Sequence, residues 1–206
     1  MNIEALFLRV PRGLTSRIRL ATYRVFGMSQ GVRNRMEGGG RCRRLSQIQI
    51  GSYNAFTQGC WLWPEDTDCD DIRIRIGDHN YFNRHLMIDA CGIVEIGDQN
   101  LFGPDIYITD SNHEFGEGIY AKAFPMRKGR VKIGNRCWIG AKAVILKDVE
   151  LGDGCVVGAG AVVTKSFPEN SVIAGVPAKA LKGRGNFRMG GNPLINGTRH
   201  APSRSR

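Results

Sequence analysis

A histidine and a tryptophan lie on either side of one long segment that interrupts an otherwise regular repeat. His113, in "SNHEF", stands at the start of the segment "EFGEGIYAKAFPMRKGR", and Trp138, in "IGNRCWIG", follows it. An imidazole titrates near neutral pH, so at the base of a loop it can accept a proton from a reacting hydroxyl. A solvent-exposed loop histidine without a chemical role would look the same, and position alone favours that simpler interpretation.

Other residue types that commonly carry out chemistry do not form a pattern. The six Cys include no C-x-x-C pair, and Cys137 and Cys155 occupy interior positions of the repeat. We therefore expect buried thiols rather than a nucleophile or a zinc cluster. A zinc carbonic anhydrase on the same type of coil would need three converging His. His79 and His85 are six residues apart, which places them on different sides of the coil, and His200 lies in the tail, so we predict no metal site.

The repeat that must position these residues has a period of six. An aliphatic residue recurs at every sixth position from Ile133 to Val163, Gly often follows it, and a small residue comes four positions after it. The same spacing occurs upstream at Ile76, Phe82 and Ile88. A short strand and a turn in every six residues form one side of a parallel β-helix, and three sides make a triangular coil of about eighteen residues. We therefore predict an all-β fold with aliphatic columns in its interior.

Charge and composition divide the chain into three parts. Residues 1–44 contain ten Arg and two Glu, and residues 182–206 contain six Lys or Arg and no acid, so the net charge of +10 resides in the two ends. We predict a basic helical segment over 1–45, a repeat domain over 46–184 and a basic, disordered tail over 185–206. No apolar run reaches the roughly 20 residues of a membrane span and the N-terminus has no secretory pattern, so we expect a cytoplasmic protein.

A helix is predicted over residues 13–26, with its apolar residues on one narrow stripe. The simpler interpretation is that the stripe packs on the first coil and caps its open end, as terminal units of repeat proteins do. The alternative is that Arg residues of the helix and tail hold the protein weakly against an anionic membrane surface. The stripe comprises Leu14, Ile18, Ala21 and Val25, and the Arg residues are Arg17, Arg19, Arg24, Arg199, Arg204 and Arg206.

Residues 46–184 resemble the hexapeptide-repeat acyltransferase superfamily. The most specific stretches are "SNHEF", "IGNRCWIG" and "VVGAGAVVTKSFPENSVIAGVPAKALKGR". Within the superfamily, the chain is most similar to the maltose, galactoside and nodulation-factor O-acetyltransferases and the exopolysaccharide O-acetyltransferases. The resemblance implies a left-handed coil, which the period cannot show and which chain chirality does not favour in ordinary parallel sheets. It also implies a homotrimer with active sites between subunits, acetyl-CoA as the donor and a sugar or glycan hydroxyl as the acceptor.

The resemblance also assigns roles to individual residues. His113 matches the catalytic base, and Trp138 matches a flat wall of the acceptor pocket. Asn83 resembles an acceptor-binding Asn, with His85 competing for the same match. Asp89 either orients a catalytic His from an adjacent coil or caps a turn. The residues that match the acetyl-CoA site are Ala141, Ala159, Thr164, Lys165, Lys179 and Arg184.

Two other functions fit parts of the same sequence. An antibiotic acetyltransferase on the same coil would differ in its acceptor, which depends on the loop. A non-catalytic trimeric scaffold could bind nucleic acid or another partner through its basic ends. A scaffold would not need His113 and Trp138 to flank the loop, so we expect an enzyme that does not bind nucleic acid.

Overall fold

The computed structural model describes residues 3–65, 70–114 and 125–181. Within these ranges the chain forms one α-helix and 22 short strands. Three sheets of mainly parallel strands form the faces of a triangular coil, and a two-stranded hairpin stands apart from them. The predicted all-β, left-handed parallel β-helix is confirmed.

The chain runs through faces A, B and C in turn. The strands of face A are β1 (Ser29–Gln30), β4 (Ile48–Ile50), β7 (Ile74–Ile76), β10 (Ile93–Ile96), β15 (Arg130–Ile133) and β18 (Glu150–Leu151). Those of face B are β2 (Arg35–Met36), β5 (Ala55–Phe56), β8 (Tyr81–Phe82), β11 (Leu101–Phe102), β16 (Trp138–Ile139), β19 (Val156–Val157), β21 (Val172–Ala174) and β22 (Lys179–Ala180). Those of face C are β3 (Arg41–Cys42), β6 (Trp61–Pro64), β9 (Met87–Ala90), β12 (Tyr107–Thr109), β17 (Val144–Ile145) and β20 (Val162–Val163). The separate hairpin consists of β13 (Ser111–His113) and β14 (Met126–Lys128).

Successive coils stack in register, so each inward-facing side chain lies next to its equivalent in the neighbouring coil. On face A, Ile96 pairs with Ile133, and Ile133 pairs with Leu151. On face B, the rings of Phe82 and Phe102 stack with their centroids 4.8 Å apart. All five side chains are buried, and the predicted apolar columns therefore form the core.

A ladder of buried asparagines joins the N-terminal coils at the corner between faces A and B. Asn54 Nδ2 donates to the carbonyl of Gly77 at 2.8 Å, and Asn54 Oδ1 accepts from the N–H of Asn80 at 2.9 Å. Asn80 repeats this one coil further on, where its Oδ1 accepts from the N–H of Asn100 at 2.8 Å. The ladder ends at Cys137, whose N–H donates to Asn100 Oδ1 at 2.7 Å. Asn takes the small-residue position in these coils because its amide pairs with backbone groups that stacking would otherwise bury without a hydrogen-bond partner.

The coil begins before the predicted domain boundary at residue 46. β1, β2 and β3 form a complete first coil, and each pairs in parallel with a strand of the second coil. The six-residue spacing is present here at Gln30, Met36 and Cys42. A polar Gln in place of an aliphatic residue makes the pattern hard to see. The basic segment over 1–45 is therefore a helix together with the first coil, while the tail over 185–206 lies outside the described residues.

The N-terminal helix, α1 (Ile3–Val25), begins well before the predicted start at residue 13 and continues through Pro11. It covers the open edge of the first coil. Ser16 Oγ accepts from the N–H of Met36 at 2.8 Å, and Arg19 Nη1 donates to the carbonyl of Met36 at 2.8 Å. Leu20 is buried in the core. The helix thus caps the coil, as the simpler interpretation predicts.

The prediction that the apolar stripe of α1 packs on the coil is wrong. Leu14 and Ile18 are each 59% exposed and Val25 is 83% exposed, so the apolar stripe points away from the coil. The reason is that the edge strand β2 presents unpaired backbone groups. A helix that covers such an edge must turn hydrogen-bonding side chains toward it.

The outward-facing side chains differ between the three faces. Face A carries a polar column in which Arg75 pairs with Glu95 at 2.7 Å and Lys132 pairs with Glu150 at 2.6 Å. Beyond the first coil, one outward column on each of faces B and C is apolar. These columns comprise Ala55, Tyr81, Leu101, Trp138, Val156 and Val172 on face B, and Trp61, Met87, Tyr107, Val144 and Val162 on face C. Face A is therefore suited to solvent, and the other two faces are suited to a partner.

Val157→Asp should unfold the C-terminal coils, because it would place an unpaired carboxylate in an aliphatic column. Val157 is 1% exposed, and we expect its free energy of unfolding to fall by more than about 4 kcal/mol. Gln49→Asp is the control, since Gln49 points outward from face A and is exposed. Urea denaturation followed by circular dichroism measures both variants. Equal losses would show that the inward face is assigned incorrectly.

Candidate active site

The long interruption of the repeat begins as a hairpin at the corner between faces C and A. β13 pairs with β14 in antiparallel register, with His113 opposite Met126. The N–H of Glu114 donates to the carbonyl of Pro125 at 2.9 Å. His113 is exposed at the far end of this pairing. The tip of the segment, residues 115–124, lies outside the described residues.

A buried carboxylate anchors the base of the hairpin. Asp110 is fully buried, and its two oxygens accept from the N–H groups of Cys91 and Gly92 at 2.8 and 2.9 Å. Burial raises the pKa of Asp110 to about 6, and the two N–H groups partly oppose this shift. Gly92 has no room for a side chain, because the carbonyl of Gly129 is in contact with it. These contacts fix where both strands of the hairpin leave the coil.

Asp89 lies beneath the hairpin and interacts with His113 electrostatically. Asp89 is in strand β9, so it does not cap a turn. Its Oδ2 accepts from Tyr107 Oη at 3.2 Å, while its buried Oδ1 has no hydrogen-bond partner among the described residues. Burial raises the pKa of Asp89, the Tyr107 hydroxyl lowers it, Glu65 raises it and His113 lowers it. A carboxylate in this position can stabilise a protonated imidazole.

Trp138 and Asn83 lie on a different part of the surface from His113. Trp138 is 38% exposed on face B, where it pairs with Leu101 and Val156 in the neighbouring coils. Asn83 follows β8 at the corner between faces B and C, and its Oδ1 accepts from the N–H of Arg84 at 2.8 Å. Within one chain, face C therefore separates Trp138 and Asn83, which are predicted to bind the acceptor, from His113, the predicted base.

The residues that match the acetyl-CoA site fall into three places. Ala141 and Ala159 lie in successive turns between faces B and C. Thr164 and Lys165 follow β20 at the corner between faces C and A, two coils beyond the hairpin. Lys179 is exposed on β22 at the end of face B. Arg184 lies outside the described residues.

Small residues in the turns between faces B and C are required by the stacking of coils. A Cβ at Gly103 would lie 2.6 Å from the nitrogen of Ala141, and one at Gly158 would lie 2.9 Å from Cβ of Ala174. The turns therefore pack against one another closely. The resulting smooth edge can accommodate an extended ligand, although packing alone explains the glycines.

The other candidate reactive groups do not converge. His85 pairs with Asp105 at 3.0 Å, and His79 stacks on Tyr53 at another corner with a centroid distance of 4.6 Å. No group of three or more metal-ligating side chains occurs among the described residues, and His200 lies outside them. The side chain of Cys137 is fully buried.

Sequence reasoning missed Asp110, which the structure identifies as the anchor of the hairpin. A signal was available, since "ITDSNHEF" places an acid directly after the face C strand where the period fails. An acidic residue at the point where a repeat is interrupted does not belong to the aliphatic columns of the repeat. It is therefore a candidate for holding the interrupting segment.

Comparison with known proteins gives consistent matches over the coil. Residues 130–165 match the family "Bacterial transferase hexapeptide (six repeats)". The chain is 34% identical over 125 residues to galactoside O-acetyltransferase of Escherichia coli (strain K12), covering 61% of each chain. It is 41% identical over 113 residues to nodulation protein L of Rhizobium meliloti (strain 1021), covering 54% of this chain and 61% of that protein. The chain thus spans about three fifths of these two relatives.

A solved structure of a galactoside acetyltransferase in complex with coenzyme A has a similar fold. It superimposes with a TM-score of 0.53 and 28% identity, over 75% of this chain and 64% of that one. The matched portion extends beyond residues 130–165, which the family repeat covers.

Asp110→Asn should remove a pH-dependent loss of stability. Because the pKa of Asp110 rises from 3.8 to about 6 on folding, the folded state keeps a proton that the unfolded state releases. The wild type therefore loses stability as the pH rises from about 4 to about 6. Asp110→Asn loses one hydrogen bond from a backbone N–H group, at a cost that is the same at every pH, and it lacks this pH dependence.

Melting temperatures measured at a series of pH values test this prediction. The advantage of the wild type over Asp110→Asn should shrink as the pH rises through that range. The exposed Asp71→Asn serves as the control for the removal of a surface carboxylate. A difference between the wild type and Asp110→Asn that does not change with pH would show that Asp110 does not titrate as described.

Proposed function

We propose that the chain transfers the acetyl group of acetyl-CoA to a hydroxyl of a sugar or glycan, because its coil matches the bacterial transferase hexapeptide family and the chain is similar to galactoside O-acetyltransferase. An exopolysaccharide precursor is one acceptor of this class. The observation that best supports the proposal is the position of His113. It stands on an anchored hairpin next to Asp89, at the same corner of the coil as Thr164 and Lys165.

His113 acts as the general base in the proposed mechanism. Its neutral imidazole accepts the proton of the acceptor hydroxyl while that oxygen bonds to the thioester carbonyl carbon. Asp89 stabilises the resulting imidazolium. His113 then returns the proton to the sulfur as the carbon–sulfur bond breaks, so the ester and free CoA form together. No covalent intermediate on the enzyme is needed, in keeping with the burial of Cys137.

The donor would lie along the coil on the residues that match the family pattern. The close-packed turns at Ala141 and Ala159 offer backbone groups to the pantetheine arm. Lys165, Lys179 and Arg184 supply cations for phosphates. Lys165 is exposed, with its ammonium 5.7 Å from the centre of the Phe167 ring. The complex of the related galactoside acetyltransferase with coenzyme A supports a CoA donor.

A homotrimer with sites between subunits completes the proposal. One outward column on each of faces B and C is apolar while face A is charged, so faces B and C are suited to contact neighbouring subunits in a closed ring. Face C separates His113 from Trp138 and Asn83 within one chain. Contact between unlike faces would instead bring His113 of one subunit near Trp138 and Asn83 of the next.

The proposed location is the cytoplasm, with weak association with an anionic membrane surface. Among the described residues, no helix is long and apolar enough to cross a membrane. The basic N-terminal segment supports surface association, since residues 1–44 carry ten Arg and two Glu. An antibiotic acceptor would use the same base and donor residues, and neither it nor a non-catalytic scaffold gains support from the geometry.

His113→Ala should lower acetyl transfer by about 10²–10⁴-fold, the usual contribution of a general base. Free thiol released from acetyl-CoA in the presence of a panel of sugar acceptors is the measurement. His79→Ala is the matched control, because His79 stacks on Tyr53 at another corner of the coil and its loss should leave turnover unchanged. Near-wild-type turnover in His113→Ala would exclude His113 as the base.

Mixed trimers test whether each site is shared between subunits. His113→Ala and Asn83→Ala should each have low activity alone. When the two chains are co-expressed with different affinity tags and purified through both, some sites will pair an intact His113 with an intact Asn83. We expect activity to recover to a substantial fraction of the wild type. If both residues of a site come from one chain, no recovery occurs.

A further inference from the structure

The N-terminal end of the coil carries two surface features that the proposed catalysis does not use. One is the outward stripe of α1, which contains Leu14, Ile18, Ala21 and Val25. The other is a cavity of about 400 Å³ between α1 and the first coil. Ala21 belongs to both features, since it also lines the cavity. The two therefore form one continuous surface.

The apolar part of this surface is unusually exposed. Leu14 and Ile18 are 59% exposed, Val25 is 83% exposed, and Val32 at the cavity wall is 60% exposed. α1 already packs on the coil through its opposite face, which contains Leu20. The helix thus packs on the coil with one side and presents the apolar stripe on the other. Exposed apolar patches of this kind typically mark interaction sites.

The polar part of this surface is basic. Arg17, Arg24 and Arg33 line the cavity, and no acidic residue does so among the described residues. Two hydrogen bonds, from Arg24 Nη2 to the carbonyls of Gln30 and Gly31 at 3.0 and 3.2 Å, fix one guanidinium in the wall. Arg17 and Arg33 form no ion pair within the described part of the chain. The cavity is therefore electrostatically suited to an anionic group such as a phosphate.

We infer that this end of the protein docks on an anionic lipid bilayer. The stripe inserts at the boundary between headgroups and acyl chains, and the cavity arginines surround a lipid phosphate. Apolar side chains bordered by Arg are the combination by which helices lie in a membrane interface. A second copy of this surface, or the chain's own basic tail, would bring further Arg toward the cavity and is disfavoured by repulsion.

The position of α1 on the coil adds a geometric argument, which rests on the proposed trimer. α1 covers the open edge of the first coil, so its stripe faces along the coil axis. If the threefold axis of the trimer runs parallel to the coil axis of each subunit, the stripes of all three subunits face the same plane. A flat membrane would then engage three weak sites at once, which strengthens binding without new contacts.

Vesicle flotation of the full-length protein tests the inference. Vesicles of phosphatidylcholine alone are compared with vesicles that also contain phosphatidylglycerol, at low and at high salt. The wild type should bind the anionic vesicles, and less so at high salt. Arg17→Gln with Arg33→Gln should lower partitioning at least about 25-fold, since each Arg contributes about fivefold at one site. Arg75→Gln with Lys132→Gln removes the same charge from face A and should bind like the wild type.

The apolar part is tested with Leu14→Gln and Ile18→Gln together, at positions exposed enough for the fold to tolerate polar side chains. This variant should lose the binding that remains at high salt while keeping its oligomeric state. Absence of wild-type binding to anionic vesicles would overturn the inference, as would equal losses in the cavity and face A variants. Dissociation of the oligomer by the stripe variant would show that the stripe is instead a subunit interface. None of these outcomes depends on acetyl transfer, which all three variants should retain toward soluble acceptors.

Discussion

Every coil of this protein must close on the same three corners, because each strand takes its hydrogen bonds from strands of the same face in the neighbouring coils. An inserted segment is therefore acceptable only if it returns the chain to the corner from which it left. Two long connections, one between β6 and β7 and the other between β12 and β15, leave face C and re-enter face A. This shared corner is why the hairpin with His113 stands above Asp89. It is also why Thr164 and Lys165 lie on the same edge.

The corners carry polar groups whose burial differs in cost. In the asparagine ladder the groups are neutral and almost all are paired, so each contributes roughly 1 kcal/mol as an ordinary hydrogen bond, and an unpaired one costs about 1–3 kcal/mol. The amide nitrogen of Asn100 is a member without a partner among the described residues. Asp110 is different because it is a carboxylate, and burial disfavours the charged form of a carboxylate. Two N–H groups do not compensate fully, and its pKa rises to about 6. The hairpin is thus anchored by a buried carboxylate whose pKa is raised. Shifted pKa values are common at functional sites.

The sequence predicts most of the coil because its period follows directly from burial. Ile133, Leu151 and their equivalents must be aliphatic to fill the interior, so their spacing reveals the faces and the point where the repeat stops. The same signal fails where hydrogen bonding replaces apolar packing. Gln30 obscures the first coil, and an apolar stripe on α1 suggests the wrong packing face because the edge it covers needs donors and acceptors. His113 could be identified from its place beside the interruption, but its electrostatic interaction with Asp89 and the role of Asp110 depend on stacking between coils. That stacking relates residues about twenty positions apart and leaves no local pattern.

The two ends of the coil have further significance for a chain of this architecture. A parallel β-helix repeats the same backbone pattern at each step, and an uncovered terminal coil is a template onto which another molecule could add in register. Here α1 occupies the hydrogen-bonding groups of Met36 at one end. At the other end, β22 pairs with β21 in antiparallel direction, which breaks the repeat. Face B is therefore covered at both ends, which opposes the addition of a further coil in register.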